Sequence, residues 1–239
     1  MGNNGHMKTN RFIFFIFFAF IFCRLTDPGM VAAQDPDTRP TAEQSSAGLR
    51  EEIIKKLEKR YNTADFSARF SQESALKALD IKDTASGKVW FKHPGMMQWE
   101  YEQPEKYAII SDGKTLWIFR PEDNQVVIGD AMTYFGNGKG ASFLSNFNLV
   151  QDTYTVTVAT PASPDQYALK LVPRKKQMDL AAILLNIDKK TYEIKSVVTI
   201  NAYGDETRIE FSDLVFEPLD ASLFNFQIPT GAEVLKMDE

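Results

Sequence analysis

A chain of 239 residues, 44% hydrophobic and 25% charged, is long enough for one all-β domain with a real core and has an ordinary soluble composition. A net charge of −5, with no basic stretch interleaved with aromatics, excludes the usual pattern of a nucleic-acid binder.

The first segment reads as a targeting signal. Lys8 and Arg11 precede an apolar run over residues 12–22; Arg24, Pro28 and Gly29 follow, then the small-residue site Val31-Ala32-Ala33. The run is too short to span a bilayer comfortably. Residues 1–33 are therefore expected to be a cleaved signal peptide for export across a membrane. Cleavage after Ala33 removes three cations and one carboxylate (Lys8, Arg11, Arg24 and Asp27), so the net charge of −5 becomes −7. It also removes Cys23, the single cysteine. Phe22 in front of Cys23 makes a poor lipidation site. The processed chain then has no thiol and one histidine, His93, so the common zinc sites and disulfides are excluded and no metal or cofactor is expected.

Residues 34–48, rich in Pro, Asp, Thr and Ser, read as a disordered leader. One domain is expected over residues 49–239. Residues 49–61 predict a helix: Leu49, Ile53, Leu57 and Tyr61 repeat at four-residue spacing and Ile54 widens the stripe. Glu51–Lys55 and Glu52–Lys56 can pair along it, and Ser45 or Ser46 can cap its start.

Residues 66–119 alternate as half-buried strands do. Phe66, Ala68 and Phe70 share one face, as do Met97, Trp99 and Tyr101, with polar residues between them. Asp112-Gly113 between two such runs is a strong hairpin signal, and Pro94-Gly95 and Gln103-Pro104 mark further turns. Phe143, Leu144 and Phe147 fit one face of a short helix. Strand patterns resume over residues 154–159, 166–172, 181–187, 194–201 and 207–211, and residues 224–228 alternate again. The pattern predicts one sheet of about ten strands with two short helical inserts, large enough to curl or close. Phe70, Trp99, Phe143 and Leu144 are expected to line an apolar space covered by Ile53 and Leu57.

Catalytic signatures are missing. His93 precedes Pro94 at a strand end, with no G-x-S-x-G elbow to make it part of a triad. Residues 136–142 (GNGKGAS) lack the Gly-Lys-Ser/Thr order of a phosphate loop and no βαβ unit surrounds them. No enzyme is demanded.

The motif F-x-A-x-F-x-Q at Phe66 to Gln72 resembles the opening of the periplasmic outer-membrane lipoprotein carrier family, LolA. Gly87-Lys88-Val89-Trp90-Phe91-Lys92, Pro94, Trp99, Gln103-Pro104 and Ser111-Asp112-Gly113-Lys114-Thr115-Leu116-Trp117 continue the pattern in order. Phe224, Phe226, Pro229 and Gly231 are similar to its F-x-F-x-x-P-x-G ending. The resemblance implies a mainly β fold, an open, incomplete antiparallel β-barrel with helical lid elements. It implies a monomeric carrier without covalent chemistry. Such a carrier takes acylated lipoproteins from an inner-membrane releasing transporter and hands them to an outer-membrane acceptor. Leu57, Phe66, Phe70, Phe91, Met97, Trp99, Phe143 and Leu144 are then candidates for the lipid-binding cavity. His93 stands where the family commonly has Arg, a residue linked to the lid, and Met97 where some members have an aromatic linked to receiving cargo. The match ends before Glu239, implying no added C-terminal structure. Two other roles fit the same fold: the outer-membrane acceptor itself, disfavoured by Phe22-Cys23, and a lipid- or lipoprotein-sensing regulatory module.

Overall fold

The computed structural model of the chain describes residues 42–135 and 141–237. The expected signal peptide and the first part of the leader, residues 34–41, lie outside the described residues. Helix α1 runs Ala42–Tyr61, seven residues longer at its start than periodicity predicts, so residues 42–48 are helical rather than disordered. Ser46 therefore sits inside the helix, its hydroxyl donating to the Glu43 carbonyl at 3.0 Å, and neither serine caps the start. The expected Glu–Lys pairs are replaced as well. Glu51 meets Arg50 at 3.4 Å, and Glu52 accepts from the Tyr192 hydroxyl at 2.9 Å.

Among the described residues twelve strands form one sheet. In chain order they are β1 Phe66–Leu76, β2 Ile81–Lys92, β3 Met96–Gln103, β4 Tyr107–Asp112, β5 Thr115–Arg120 and β6 Gln125–Asp130, then β7 Tyr154–Ala159, β8 Gln166–Pro173, β9 Ala182–Asp188, β10 Ile194–Ile200, β11 Glu206–Phe216 and β12 Glu233–Lys236. The spatial order is β12-β6-β5-β4-β3-β2-β1-β11-β10-β9-β8-β7. Two meanders, β1–β6 and β7–β11, are joined by the β1/β11 pairing, where Phe70 faces Phe211. The terminal strands β12 and β7 do not meet, so the sheet is open rather than closed. Pairing is antiparallel except at β12, which runs parallel to β6. That edge strand corrects both the expected strand number and the expected lack of C-terminal structure.

The long β6–β7 connection carries the other helices: α2 Ala131–Phe135, a 3-10 turn Ser142–Ser145 and α3 Leu149–Thr153. Residues 136–140, most of the glycine-rich stretch, lie outside the described residues. Residues 224–228 do not form the expected strand. A 3-10 turn, Ala221–Phe224, precedes them, and Phe226 packs against Trp117 and Phe119 with ring centroids 6.2 and 5.3 Å apart. Trp117 and Phe119 lie on the face opposite the main core, so here alternation serves packing instead of strand pairing.

Alternation decides where the core sits. Phe66, Ala68 and Phe70 are buried while Arg69 and Ser71 are exposed; Met97, Trp99 and Tyr101 are buried while Glu100 is exposed. These residues, with Ile53, Ile54, Leu57 and Tyr61 of α1 and Phe143, Leu144 and Phe147 of the β6–β7 connection, make one hydrophobic cluster. The apolar sheet face is thus covered by α1 and the connection, which are the helical lid elements.

Candidate functional site

Each aromatic on this face is placed by strand register. Phe66 pairs across β1/β2 with Phe91, and their rings stack with centroids 4.8 Å apart. Phe70 lies opposite Gly87, where a Cβ would come within 1.9 Å of the Glu100 carbonyl oxygen and 3.0 Å of the Phe70 ring. Only glycine allows the strands to approach there. Phe70 in turn meets Trp99 edge to face at 4.9 Å and Tyr101 at 5.0 Å. Trp99 also meets Phe91 at 5.7 Å and Phe211 at 6.2 Å. The edge-to-face pairs among these, Phe70–Trp99, Phe70–Tyr101 and Phe91–Trp99, add about 0.5–1.5 kcal/mol each beyond area burial.

The structure brings all eight sequence-derived cavity residues into this single cluster: Leu57, Phe66, Phe70, Phe91, Met97, Trp99, Phe143 and Leu144, none more than 6% exposed. The apolar space they were expected to line is filled by their own side chains. A cavity of about 80 Å³ remains beside Met97 and Phe143, under Phe135 and Leu149. That is far below the roughly 300–1,000 Å³ of a small-molecule pocket. The larger hollows lie elsewhere. One of about 630 Å³ lies among polar groups that include Gln72, Thr84 and Arg208. Another of about 710 Å³ lies between Ile110, Phe119 and the C-terminal segment at Leu223 and Phe226.

Val89, Phe147, Ile209 and Phe211 belong to the same cluster, though the sequence reading named none of them as cavity candidates. The alternation of Ile209 and Phe211 was visible, but their face is fixed only by the long-range β1/β11 pairing.

His93 sits on the β2–β3 turn, partly buried. Its Nδ1 lies 3.3 Å from the Ser145 carbonyl oxygen in the roof, and the Gly95 N–H donates to that same carbonyl at 2.9 Å. Gly95 has φ +79, a conformation glycine adopts without strain. Ser145 is buried, and its hydroxyl donates to the Ser142 carbonyl at 2.7 Å, bracing the turn. Two donors of one sheet turn thus converge on one roof carbonyl.

Further polar contacts join the roof elements to one another, beside their apolar packing in the cluster. The Phe147 N–H donates to Asn62 Oδ1 at 3.0 Å, Asn62 Nδ2 meets Asn148 Oδ1 at 2.6 Å, and Gln151 Nε2 meets Glu58 Oε1 at 2.6 Å. α1 itself is held over the β9–β10 hairpin. The Tyr61 hydroxyl accepts the buried Ile194 N–H at 2.8 Å, and Arg60 pairs with Glu193 at 3.2 Å. Burial pushes the Tyr61 phenol well above its ordinary pKa, so it stays neutral.

Among the described residues no group of three or more His, Cys, Asp or Glu side chains is placed to hold a metal ion. What the site offers is physical: an apolar sheet face packed beneath helical segments.

The family model described as outer membrane lipoprotein carrier protein LolA matches residues 61–227. The outer-membrane lipoprotein carrier protein of Nitrosomonas europaea is 26% identical over 190 residues, covering 79% of this chain and 91% of that protein. The protein of the same description from Coxiella burnetii (strain RSA 493) is 28% identical over 178 residues, covering 73% of this chain and 82% of its own. Among solved structures, an uncharacterized conserved protein from Thermus thermophilus superposes with a TM-score of 0.51 at 18% identity, covering 78% of this chain and 98% of that one. That last likeness concerns the fold alone. With the family model spanning residues 61–227, the chain belongs to the LolA family of outer-membrane lipoprotein carriers.

Proposed function

We propose that this protein is a periplasmic carrier that binds the acyl chains of lipoproteins and moves them from the inner to the outer membrane. The observation that carries the reading is the single aromatic and aliphatic cluster on the concave face of an open sheet, roofed by short helical segments. A chain of sixteen carbons gains on the order of 13 kcal/mol on leaving water, at ~0.8 kcal/mol per CH₂. The eight cavity residues named above supply an apolar surface of matching chemistry. Among the described residues the hollow beside Met97 and Phe143 is about 80 Å³, so in this reading a chain enters there by separating the roof from the sheet.

In this reading His93 and Gly95 are the latch, through the Ser145 carbonyl. An arginine at position 93 offers five donors, whereas a neutral imidazole offers one. On this turn His93 brings a single contact of its own to the Ser145 carbonyl. Loading comes from an inner-membrane releasing transporter and unloading goes to an outer-membrane acceptor; no bond is made or broken. Residues 1–33 are read as the export signal. No helix among the described residues is long and apolar enough to cross a membrane.

The test is mass spectrometry of the protein purified natively from the periplasm, followed by release assays from membranes that display acylated lipoprotein. Co-purification of acylated lipoprotein, lost on unroofing variants, is the expected result. Protein that neither carries nor releases acylated lipoprotein overturns the reading.

A further inference from the structure

Along the strands the apolar face changes character. On β1 its side chains run Phe66, Ala68, Phe70 and then Gln72 and Ser74. On β11 they run Phe211, Ile209 and then Thr207, and on β3 Met97, Trp99 and then Tyr101. At that end hydroxyls and amides form a line across three strands. The Tyr101 hydroxyl donates to Gln72 Oε1 at 3.1 Å, Gln72 Nε2 donates to Ser74 Oγ at 3.2 Å, and Ser74 Oγ lies 3.3 Å from Thr207 Oγ1. The line continues on β4 and β5. The Tyr107 ring stacks on Tyr101 with centroids 4.1 Å apart, and the Arg120 guanidinium lies 5.9 Å from the Tyr107 ring centroid. Between this end and the roof, Ile109 and Ile118 pair across β4/β5 on the same face and are only half-buried.

The donors at this end are unequally committed. Tyr101 gives its proton to Gln72, whereas Tyr107 is half-buried and Arg120 exposed, so both stand within reach of a ligand. Burial pushes both phenols above their ordinary pKa, so each stays neutral and keeps a proton to donate. Arg120 and Glu105 bring opposite charges to Tyr107, so the surroundings select neither an anion nor a cation. The group that fits is a neutral acceptor, a carbonyl. The β1 stretch from Gln72 back to Phe66 spans about 20 Å, a length comparable to an extended acyl chain.

We infer that this polar end is a subsite for the ester or amide carbonyls at which acyl chains join the rest of a ligand, bound by the Tyr107 hydroxyl and the Arg120 guanidinium, with the chains running along the strands toward the roof. The inference rests on the carrier reading and adds an orientation to it: the polar junction at the β3–β4 turn, the chain ends beneath Phe143 and Leu144. Burial of hydrocarbon alone does not tell an acyl chain from an alkyl chain, whereas donors aimed at a carbonyl reject a ligand that lacks one.

The test is fluorescence titration of the processed protein with two lipopeptides of equal chain length, one carrying ester-linked diacylglyceryl chains and the other ether-linked dialkylglyceryl chains. Wild type is expected to prefer the ester-linked lipopeptide roughly twentyfold, for two hydrogen bonds that the ether cannot accept in the same way. Tyr107→Phe keeps the ring on Tyr101 and should narrow that preference about fivefold, and Arg120→Gln should narrow it by a similar factor. Equal binding of the two lipopeptides by wild type overturns the subsite and leaves the carrier reading standing. Binding of neither overturns the carrier reading and the subsite with it. Variants that weaken both lipopeptides alike, with the preference intact, give Tyr107 and Arg120 a structural role only and overturn the subsite.

Discussion

Trp99 shows how one side chain serves both stability and the binding face. It is ringed by Phe70, Phe91 and Phe211. Trp99→Ala is expected to cost about 3–5 kcal/mol in chemical denaturation, through lost burial and the cavity left behind. Trp99→Leu keeps an apolar wall and should retain acyl binding with a smaller loss of stability. Trp99→Glu, by contrast, puts a charge into the filled cluster, and its main expected effect is unfolding. A folded Trp99→Glu protein that still binds acylated lipoprotein would move the cavity elsewhere. Tyr61 makes a different demand, since Tyr61→Phe strands the buried Ile194 N–H and should cost about 1–3 kcal/mol in the same measurement. Asp65 gives the pH response. Burial alone would push its carboxyl up, but the Leu219 N–H at 3.0 Å, the Lys92 ammonium at 2.6 Å and the His93 N–H outweigh that and hold it below the usual range. With the lower value in the folded state, its stabilisation is present above the unfolded carboxylate value of about 3.9 and is lost as pH falls through the folded one. The thermal midpoint of the wild type should therefore fall more steeply than that of Asp65→Asn below about pH 4. Parallel curves would show that Asp65 does not carry the response.

Between α1 and the β6–β7 connection run the polar contacts of Asn62, Asn148, Gln151 and Glu58 and the stacked Tyr61 and Phe147 rings, whereas among the described residues the hydrogen bonds of the connection to the β2–β3 turn meet at the Ser145 carbonyl. This division predicts that α1 and residues 142–153 shift as a unit. Asn62→Cys with Asn148→Cys, oxidised after Cys23 has been cleaved away, should leave acyl uptake intact; lost uptake would mean that the two roof segments part from each other on opening. The same elements mark how far the sequence can be read. Phe66 to Phe70 and Met97 to Tyr101 were legible because one face is greasy and the other polar, and Asp112-Gly113 because Gly113 takes φ +91 while Asp112 Oδ1 accepts from Lys114 and Thr115. The continuation of β1 and β2 through residues 73–86 was not legible, because there the inward face is polar too. Gln72 accepts from the Tyr101 hydroxyl, and Ser74 lies 3.3 Å from Thr207 Oγ1, so side-chain polarity no longer tells in from out. Nor could periodicity reveal β12. All four of its residues are exposed, and its parallel pairing with β6 joins positions more than a hundred apart in the chain. Of the candidate site, the eight apolar residues were readable as a face, but that they would fill their own space depends on the roof packing against them.

At the scale of the molecule, an open sheet with a packed concave face and a lightly tied roof has two ways to accept an acyl chain. The chain can enter between roof and sheet, displacing Phe143, Leu144 and Phe147 from the cluster, or it can use the hollow of about 710 Å³ on the opposite face beside Ile110 and Phe119. The first route trades roof contacts for chain contacts, so loading should raise global stability by ligand linkage while loosening residues 142–153. The second raises stability with the roof still closed. Amide hydrogen exchange on empty and loaded protein separates them. Faster exchange in residues 142–153 on loading, together with a higher thermal midpoint, is expected. His93→Ala, which leaves the Gly95 bond to Ser145 but removes the imidazole contact, should speed exchange of the same residues in the empty protein, by about fivefold for the loss of one hydrogen bond of ~1 kcal/mol. Unchanged or slower roof exchange on loading, with new protection at Phe119 and Phe226, would place the cargo on the outer face and leave the concave cluster as core alone.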